Sequence, residues 1–500
     1  MSAAPRSIAV VGGGTIAWIA ALGLHRAFRH LGLEVTVLDT GPESGAPVGR
    51  WTLPSQRGAH AQLGLGEVDF LRATGATFRL ASEHAGWQGG NGRYLHAHGE
   101  IGQPIGVVPF YKRLLLETMQ GRPERAENYS IASLAAKNGR FAQPMGGSKD
   151  LTAGFSYGFH VDERVYGDFL RSAAEAAGVR RVAGTLSGPR RSVEGSVEAL
   201  QLEGGGTLEA DFFLDCSGAD ALLMRTLGDD SRIDWRRWFP CDRAIGGFAP
   251  AENEPAPLTR TQATDAGWLW RAPVMSATLV GSFHSSMFTS DDAAHEDLRQ
   301  LAPGLRDATL SSFSAGRREN FWVGNCVALG SAAVELEPLA GASLHLAQLG
   351  LAQFVELFPL DARNDAEATE YNRQMAAYAD ALRDFTLAHY RSGARRDGAF
   401  WNAVGAEPLP ESLALKLDHY RASGRITIHD NETFEETDWA WLFMGAGEIP
   451  QLLETSIETL LADMPREQVA ALRVYLERLV STMPRHRDYL QRLHSTPRKP

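Results

Sequence analysis

Apolar positions along the 500 residues switch between two periods, and the switches outline the fold. Ser7-Ile-Ala-Val-Val11 is a short, β-branched run and predicts a buried strand; residues 15–30 then carry Ile16, Ile19, Ala20, Leu24 and Phe28 at helical spacing. A second strand is predicted over Glu34-Val-Thr-Val-Leu38, closed by Asp39. Later strands are predicted at 178–182, 198–203, 211–218 and 320–330, the last meeting a Gly-Ser turn before a helix over roughly 341–357. Residues 250–310 alternate short strands with polar loops. From about 365 the period turns helical, over 366–390, 409–422 and 464–493, so the C-terminal region is mostly α. There is no internal repeat.

Between the first strand and helix lies Gly12-Gly13-Gly14-Thr15-Ile16-Ala17, a G-x-G-x-x-A turn. Gly12 permits the tight turn, Gly14 lets backbone N–H groups approach a pyrophosphate, and Ala17 keeps helix and strand close. The helix N-terminus adds partial positive charge. Asp39 is placed to accept hydrogen bonds from ribose hydroxyls, and its charge repels a 2′-phosphate. Strand, turn, helix, strand and terminal acid together predict a Rossmann-like unit that binds FAD or NAD. One sheet drawn from separated segments makes this α/β domain discontinuous, with a substrate domain inserted between its pieces.

Composition is that of an ordinary globular enzyme, with 44% apolar and 22% charged residues. A formal net charge of −11 argues against nucleic acid or an anionic membrane as partner. The basic end, Arg485-His-Arg487 through Arg498-Lys-Pro500, reads as a solvated tail. Cys216, Cys241 and Cys326 lie far apart without C-x-x-C spacing, which implies neither disulfide framework nor metal and makes a reducing cytoplasm the expected setting. The apolar stretch Ile8–Leu24 is interrupted by three glycines and lacks signal-peptide flanks, so it is read as a buried βα unit. No H-E-x-x-H, G-x-S-x-G or Walker A sequence is present.

Several segments, in order, resemble the flavin-dependent tryptophan halogenases, a branch of the flavoprotein monooxygenase fold. They are Gly12-Gly-Gly-Thr-Ile-Ala-Trp18, Ala73-Thr-Gly-Ala-Thr-Phe78 with Ala85-Gly-Trp87, Phe159-His-Val-Asp162, Asp215-Cys-Ser-Gly218 and Pro240-Cys-Asp-Arg-Ala244. Trp268-Leu-Trp-Arg-Ala-Pro273 resembles the W-x-W-x-I-P signature, Glu337-Pro338-Leu339 the start of the halide loop, and Phe400-Trp401 and Gly447-Glu-Ile-Pro450 the C-terminal region. The resemblance runs from about 7 to 450. It implies a flavoprotein-monooxygenase-type FAD domain with a β-rich substrate domain and a helical C-terminal region. The expected partition is 1–110, 150–230 and 311–357 for the FAD domain, 111–149 and 231–310 for the substrate part, and 358–500 for the helical region.

The resemblance further implies reduced FAD (FADH2) supplied by a separate flavin reductase, a flavin C4a-hydroperoxide, and oxidation of halide to hypohalous acid. That oxidant passes through a tunnel to a lysine beside an indole substrate, assisted by a glutamate; a homodimer is a family expectation. Cofactor contacts are expected from Gly12, Gly13, Gly14, Thr15, Ile16, Ala17, Asp39, Arg50, Trp51, Leu186, Gly218, Ser331 and Leu344. Trp268 and Trp270, on one face of a strand, are expected to wall substrate from flavin. His96, with His98 beside it, falls in a segment resembling an active-site strand and is a candidate substrate contact or a structural histidine. His345, at the start of the post-loop helix, is expected to pack or cap.

Three functional loops depart from the family pattern while the frame around each is kept. At the lysine position stands Arg79, whose guanidinium stays protonated and so disfavours a covalent chloramine, though it can hold hypohalous acid by hydrogen bonds. The plainer reading pairs Arg79 with a carboxylate. Ala340 stands at the glutamate position and can neither accept a proton nor orient anything. The halide-binding threonine and glycine become Ala342 and Ser343, whose N–H groups form an anion nest only if Ser343 tolerates the backbone angles required. The flavin strap, usually G-E-A-T-I-P, reads Gly49-Arg50-Trp51-Thr52-Leu53-Pro54. Arg243 can steer an anion or pair with Asp242 or Asp215.

Two classes of function therefore stay open. One is a FAD-dependent oxidoreductase acting on an indole or other electron-rich aromatic, by halogenation or, since Pro338-x-x-Gly341 also fits the flavin hydroxylases, by monooxygenation. The other is a non-catalytic protein that holds FAD or an aromatic ligand.

Overall fold

The computed structural model describes residues 5–42, 49–144, 155–193, 195–228, 231–359, 365–393, 395, 397–462 and 465–495. The chain forms two compact units, each assembled from three segments: 1–74, 161–242 and 309–381 in the first, and 75–160, 243–308 and 382–500 in the second. Residues 75–110, expected with the FAD domain, are thus counted with the second unit.

The first unit is built on a six-stranded sheet in the order Trp322–Val323, Cys326–Ala328, Phe212–Asp215, Ser7–Val11, Glu34–Asp39, Arg180–Ala183. Ser7–Val11 lies between two parallel neighbours and is buried from Ile8 onward, which is why it reads as an unbroken apolar run. The single strand expected over 320–330 is instead a two-stranded hairpin, Trp322 opposite Val327, because Gly324 adopts φ +57° at the turn. The helices Thr15–Phe28, Glu163–Ala177 and Ser343–Glu356 belong to this unit. Asp162 caps the second of them through the N–H groups of Arg164 and Val165, and Gly178 ends it in the left-handed region.

The second unit carries a sheet ordered Arg243–Ala249, Thr278–His284, Gly267–Pro273, Leu258–Thr264, Ala81–Ala85, Arg93–Ala97. Its pairings are antiparallel except for Leu258–Thr264 with Ala81–Ala85, where Leu258 aligns with Ala81. Within the 250–310 stretch the structure adds an element the pattern did not indicate, the helix Asp291–Leu301. It packs Ala294 and Leu298, with Leu301 beside them, onto Ile245, Leu269 and Val280, while most of its other positions are polar and face solvent. The short strand Thr77–Arg79 runs antiparallel to Gly158–Asp162, setting Thr77 opposite His160 and Arg79 opposite Gly158.

The C-terminal region is helical as expected, although 464–493 divides into Arg466–Thr482 and His486–Ser495 at Pro484. The basic end is not a loose tail up to residue 495: His486 is fully buried, accepting from the Phe78 N–H and donating to the Pro255 carbonyl. Arg498-Lys-Pro500 lie outside the described residues. Among the described residues no helix is long and apolar enough to cross a membrane, and the three cysteines are buried thiols.

Candidate functional site

In the first unit the glycine turn, Asp39 and two later loops meet. Gly12 has φ +137° and its α-carbon faces the Cys216 carbonyl so closely that any Cβ would collide with it. A Cβ on Gly13 would collide with Asp39 Oδ1 and the Gly41 carbonyl, so the acid closing the second strand lies directly against the turn. Trp18 locks the turn from inside the helix, donating from Nε1 to the Gly13 carbonyl at 3.0 Å. The helix opens at Gly14 with no side-chain cap and no acid in its first turn, leaving its N–H groups to an anion. The space only glycine allows and the uncapped helix end fit a dinucleotide pyrophosphate.

Asp39 receives the Gly41 N–H at 3.0 Å and Arg181 Nε at 2.7 Å. Thr15 Oγ1 donates to the Glu163 carbonyl, and Ile16 packs against Gly330, next to Ser331. Gly218 (φ +82°) is buried in the loop that follows the sheet, held by Asp215. That carboxylate accepts from Ser217 N, Ser217 Oγ, Leu223 N and Met224 N. Arg243 Nε lies 3.9 Å from Asp291, in the second unit. Leu186 opens a separate three-stranded sheet, two residues past Gly184, whose N–H donates to the Asp39 carbonyl.

The two altered loops of this unit touch each other. Arg50 is buried in an ion pair with Glu163 and donates from Nη1 to Ser343 Oγ at 3.2 Å. Trp51, also buried, lies over Gly341, where a Cβ would come within 2.6 Å of the indole Cδ1. Gly341 carries the positive φ (+71°) at this turn; Ala342 has φ −103°, ψ 0°, and Ser343 simply opens the helix. No glycine is needed at 343, so the backbone form of the loop survives both replacements. Ala340 and Leu344 are buried, and the helix Ser343–Glu356 has no side-chain cap. His345 Nδ1 is 3.0 Å from Ser55 Oγ, a packing contact, with its pKa lowered by burial to about 4.

In the second unit Arg79 is 3% exposed and each of its nitrogens is engaged. Nε donates to Thr259 Oγ1 (3.0 Å), Nη1 to His98 Nε2 (2.7 Å) and Nη2 to Ser82 Oγ (2.7 Å). These three partners are neutral side chains. Burial lowers the guanidinium to about 9, leaving it charged at neutral pH. The bonds continue in one direction. Thr259 Oγ1 lies 2.9 Å from His160 Nε2, His160 Nδ1 3.1 Å from Thr77 Oγ1, and Thr77 donates to the Pro273 carbonyl. Because Thr77 spends its proton on the carbonyl, it accepts from His160 Nδ1–H; His160 Nε2 then accepts from Thr259, and Thr259 accepts from Arg79. His98 and His160 are held neutral, their pKa values pushed well below the ordinary range by burial and then by Arg79. Thr259 and Ser82 carry no sequence signal; only the fold brings them to Arg79.

Trp268 and Trp270 are buried and share a strand face. Trp268 stacks on Phe283 (5.0 Å, 15°) and neighbours Trp87, which meets Tyr390 and Trp401; Trp270 covers Gly281. His96 pairs with Asp438 at 3.1 Å and sits among Phe385, His389 and Phe434. Among the described residues no group of His, Cys, Asp and Glu could hold a metal.

A glycine-turn cradle on a largely parallel sheet fits a dinucleotide-binding oxidoreductase, and the second unit carries Trp268 and Trp270 buried on one strand face. The tryptophan halogenase family profile matches residues 7–461, and the chain belongs to that family. It is 30% identical to the tryptophan 7-halogenase KtzQ of Kutzneria sp. (strain 744), over 98% of each chain. Among solved structures it is similar to BrvH, a flavin-dependent halogenase from Brevundimonas sp. BAL3 (31% identity, TM-score 0.91, covering 98% and 99%). It is equally similar to Xcc4156, a flavin-dependent halogenase from Xanthomonas campestris (31%, TM-score 0.91, covering 99% and 100%).

Proposed function

We propose that this protein is a reduced-FAD-dependent, halogenase-like oxidoreductase acting on an indole or other electron-rich aromatic, and that its oxidant is held by hydrogen bonds rather than carried covalently. The observation that carries this reading is Arg79, a buried and charged guanidinium fixed by three neutral acceptors. A guanidinium offers no amine lone pair for an N–halogen bond, but it donates N–H to the oxygen of hypohalous acid. In the first unit the turn Gly12–Ala17 takes the pyrophosphate of FAD and Asp39 the adenosine ribose, in exchange for its bond to Arg181.

The uncapped N–H groups at Ala342 and Ser343 receive halide, with Arg50, charge-paired to Glu163, holding Ser343 Oγ beside them. Reduced FAD, delivered by a separate flavin reductase, supplies the two electrons: FADH2, O2, halide, a proton and the aromatic give FAD, halogenated aromatic and two waters. Ala340 removes the carboxylate that would take the proton leaving the ring, so water must accept it and the step is slow. Trp268 and Trp270 wall the aromatic in the second unit.

Monooxygenation is the second reading, and Trp51 packed over Gly341 favours it, since it crowds the halide loop. The test is conversion of an indole panel by the full-length protein with FAD, a generic flavin reductase and bromide. Conversion that requires reductase and oxygen supports the proposal; an unchanged panel with all reducing equivalents released as peroxide overturns it.

A further inference from the structure

The sheet face of the second unit that carries Leu269 and Val280 is covered by the helix Asp291–Leu301, but only in part. Where the apolar cover ends, a cavity of about 600 Å³ opens, a size that takes a small organic molecule. Gln262, Ser282 and His284 border it from the sheet, Asp297 from the helix, and Phe288 from the loop between them. Ser282 and His284 stand two and four residues beyond Val280 on the same strand, so they share its face.

Two buried polar atoms here have no partner among the described residues. Ser282 is 1% exposed with an unbonded Oγ, and His284 is 2% exposed with an unbonded Nδ1. His284 Nε2 lies 2.9 Å from Asp291 Oδ1, which engages one ring nitrogen and leaves Nδ1 as the open one. Unmet buried polar atoms are costly and call for a partner. The charge points the same way. Arg395, the cation at the rim, is engaged by Asp265 and Asp397, whereas the pKa of Asp297 is raised by partial burial and then by Asp265 and Glu296. Asp265 and Asp297 both border the cavity, setting two carboxylates against the one guanidinium of its lining.

We infer that this cavity is a binding site for a small protonated amine, its ammonium held by Asp297, Ser282 and His284 and its apolar body laid against Leu269 and Phe288. Leu269, Ser282 and His284 belong to the helix-covered face of the sheet, and Trp268 and Phe283 from the other face also border the cavity.

Titration of the FAD-loaded full-length protein with tryptamine, against indole-3-propionate as the anion with the same ring, tests it. Tryptamine is expected to bind at least tenfold more tightly than the anion. Asp297→Asn should weaken it at least tenfold and Ser282→Ala about threefold, with amides of 291–301 protected from hydrogen exchange only in the amine complex. Asp297 is solvated, so its variant should fold and keep its turnover of aromatics. Equal binding of amine and anion, or undiminished binding by Asp297→Asn, would overturn the inference.

Discussion

Acidification should unfold this protein well above the pH at which carboxylates are protonated. Seven described histidines, His60, His84, His98, His160, His345, His389 and His486, are buried with lowered pKa values, in each case chiefly by burial. Arg79 adds to the effect at His84, His98 and His160. An unfolded histidine titrates near 6.5, so below that pH the unfolded chain binds protons that the folded chain refuses. Stability is therefore fully present above about pH 7.5 and is lost as pH falls through 6.5. Each imidazole held neutral costs about 1.4 kcal/mol at pH 5.5, or about 10 kcal/mol for all seven, comparable with the whole stability of a domain. Five of the seven lie in the second unit, which should melt first, losing about 7 kcal/mol against about 3 for the first. Denaturant midpoints followed by near-UV circular dichroism between pH 5.5 and 8 read this directly. A stability constant to within about 1 kcal/mol over that range would refute the claim that these imidazoles are held neutral.

Other perturbations separate the two altered centres. Arg79→Lys replaces a fork serving Thr259, His98 and Ser82 by one ammonium; leaving at least one buried acceptor unmet should cost about 2–4 kcal/mol in a denaturant series. Adding Ala340→Glu to it should still fall short of a lysine enzyme's rate, and full recovery would show that only the catalytic pair had been lost. Arg50→Met leaves Glu163 as a buried unpaired carboxylate and should cost about 3–5 kcal/mol, largely relieved by adding Glu163→Gln in a double-mutant cycle. Gly13→Val drives a side chain into Asp39 and Gly41 and should weaken FAD binding at least about tenfold by fluorescence quenching, while far-UV circular dichroism stays unchanged.

What was legible in the sequence was what is local. The strand–turn–helix–strand unit from Ser7 to Asp39 announces itself because glycine punctuation, apolar period and terminal acid fall within one stretch of chain. The tryptophan pair was legible for the same reason. The helix Asp291–Leu301 was hidden because only one narrow stripe of it is apolar, although Ser290 and the acids after it form an ordinary N-terminal cap. The boundary expected at 110 missed a long-range pairing: Ala81–Ala85 joins Leu258–Thr264, and no local pattern records such a partner. Arg79 was found by its place in a motif. Its environment was not, because Ser82, His98 and Thr259 converge on it from separate strands and loops. The match between the strap and the halide loop, Arg50 with Ser343 and Trp51 with Gly341, is likewise a fact of three dimensions. It turns two apparent losses into one rebuilt corner.

The most direct test of the account is the mass of the product formed from indole by the reductase-coupled protein in the presence of bromide and 18O2. The account predicts bromine addition, dependent on bromide, with no 18O in the product. Addition of 18O without bromine would contradict it and make the enzyme a monooxygenase.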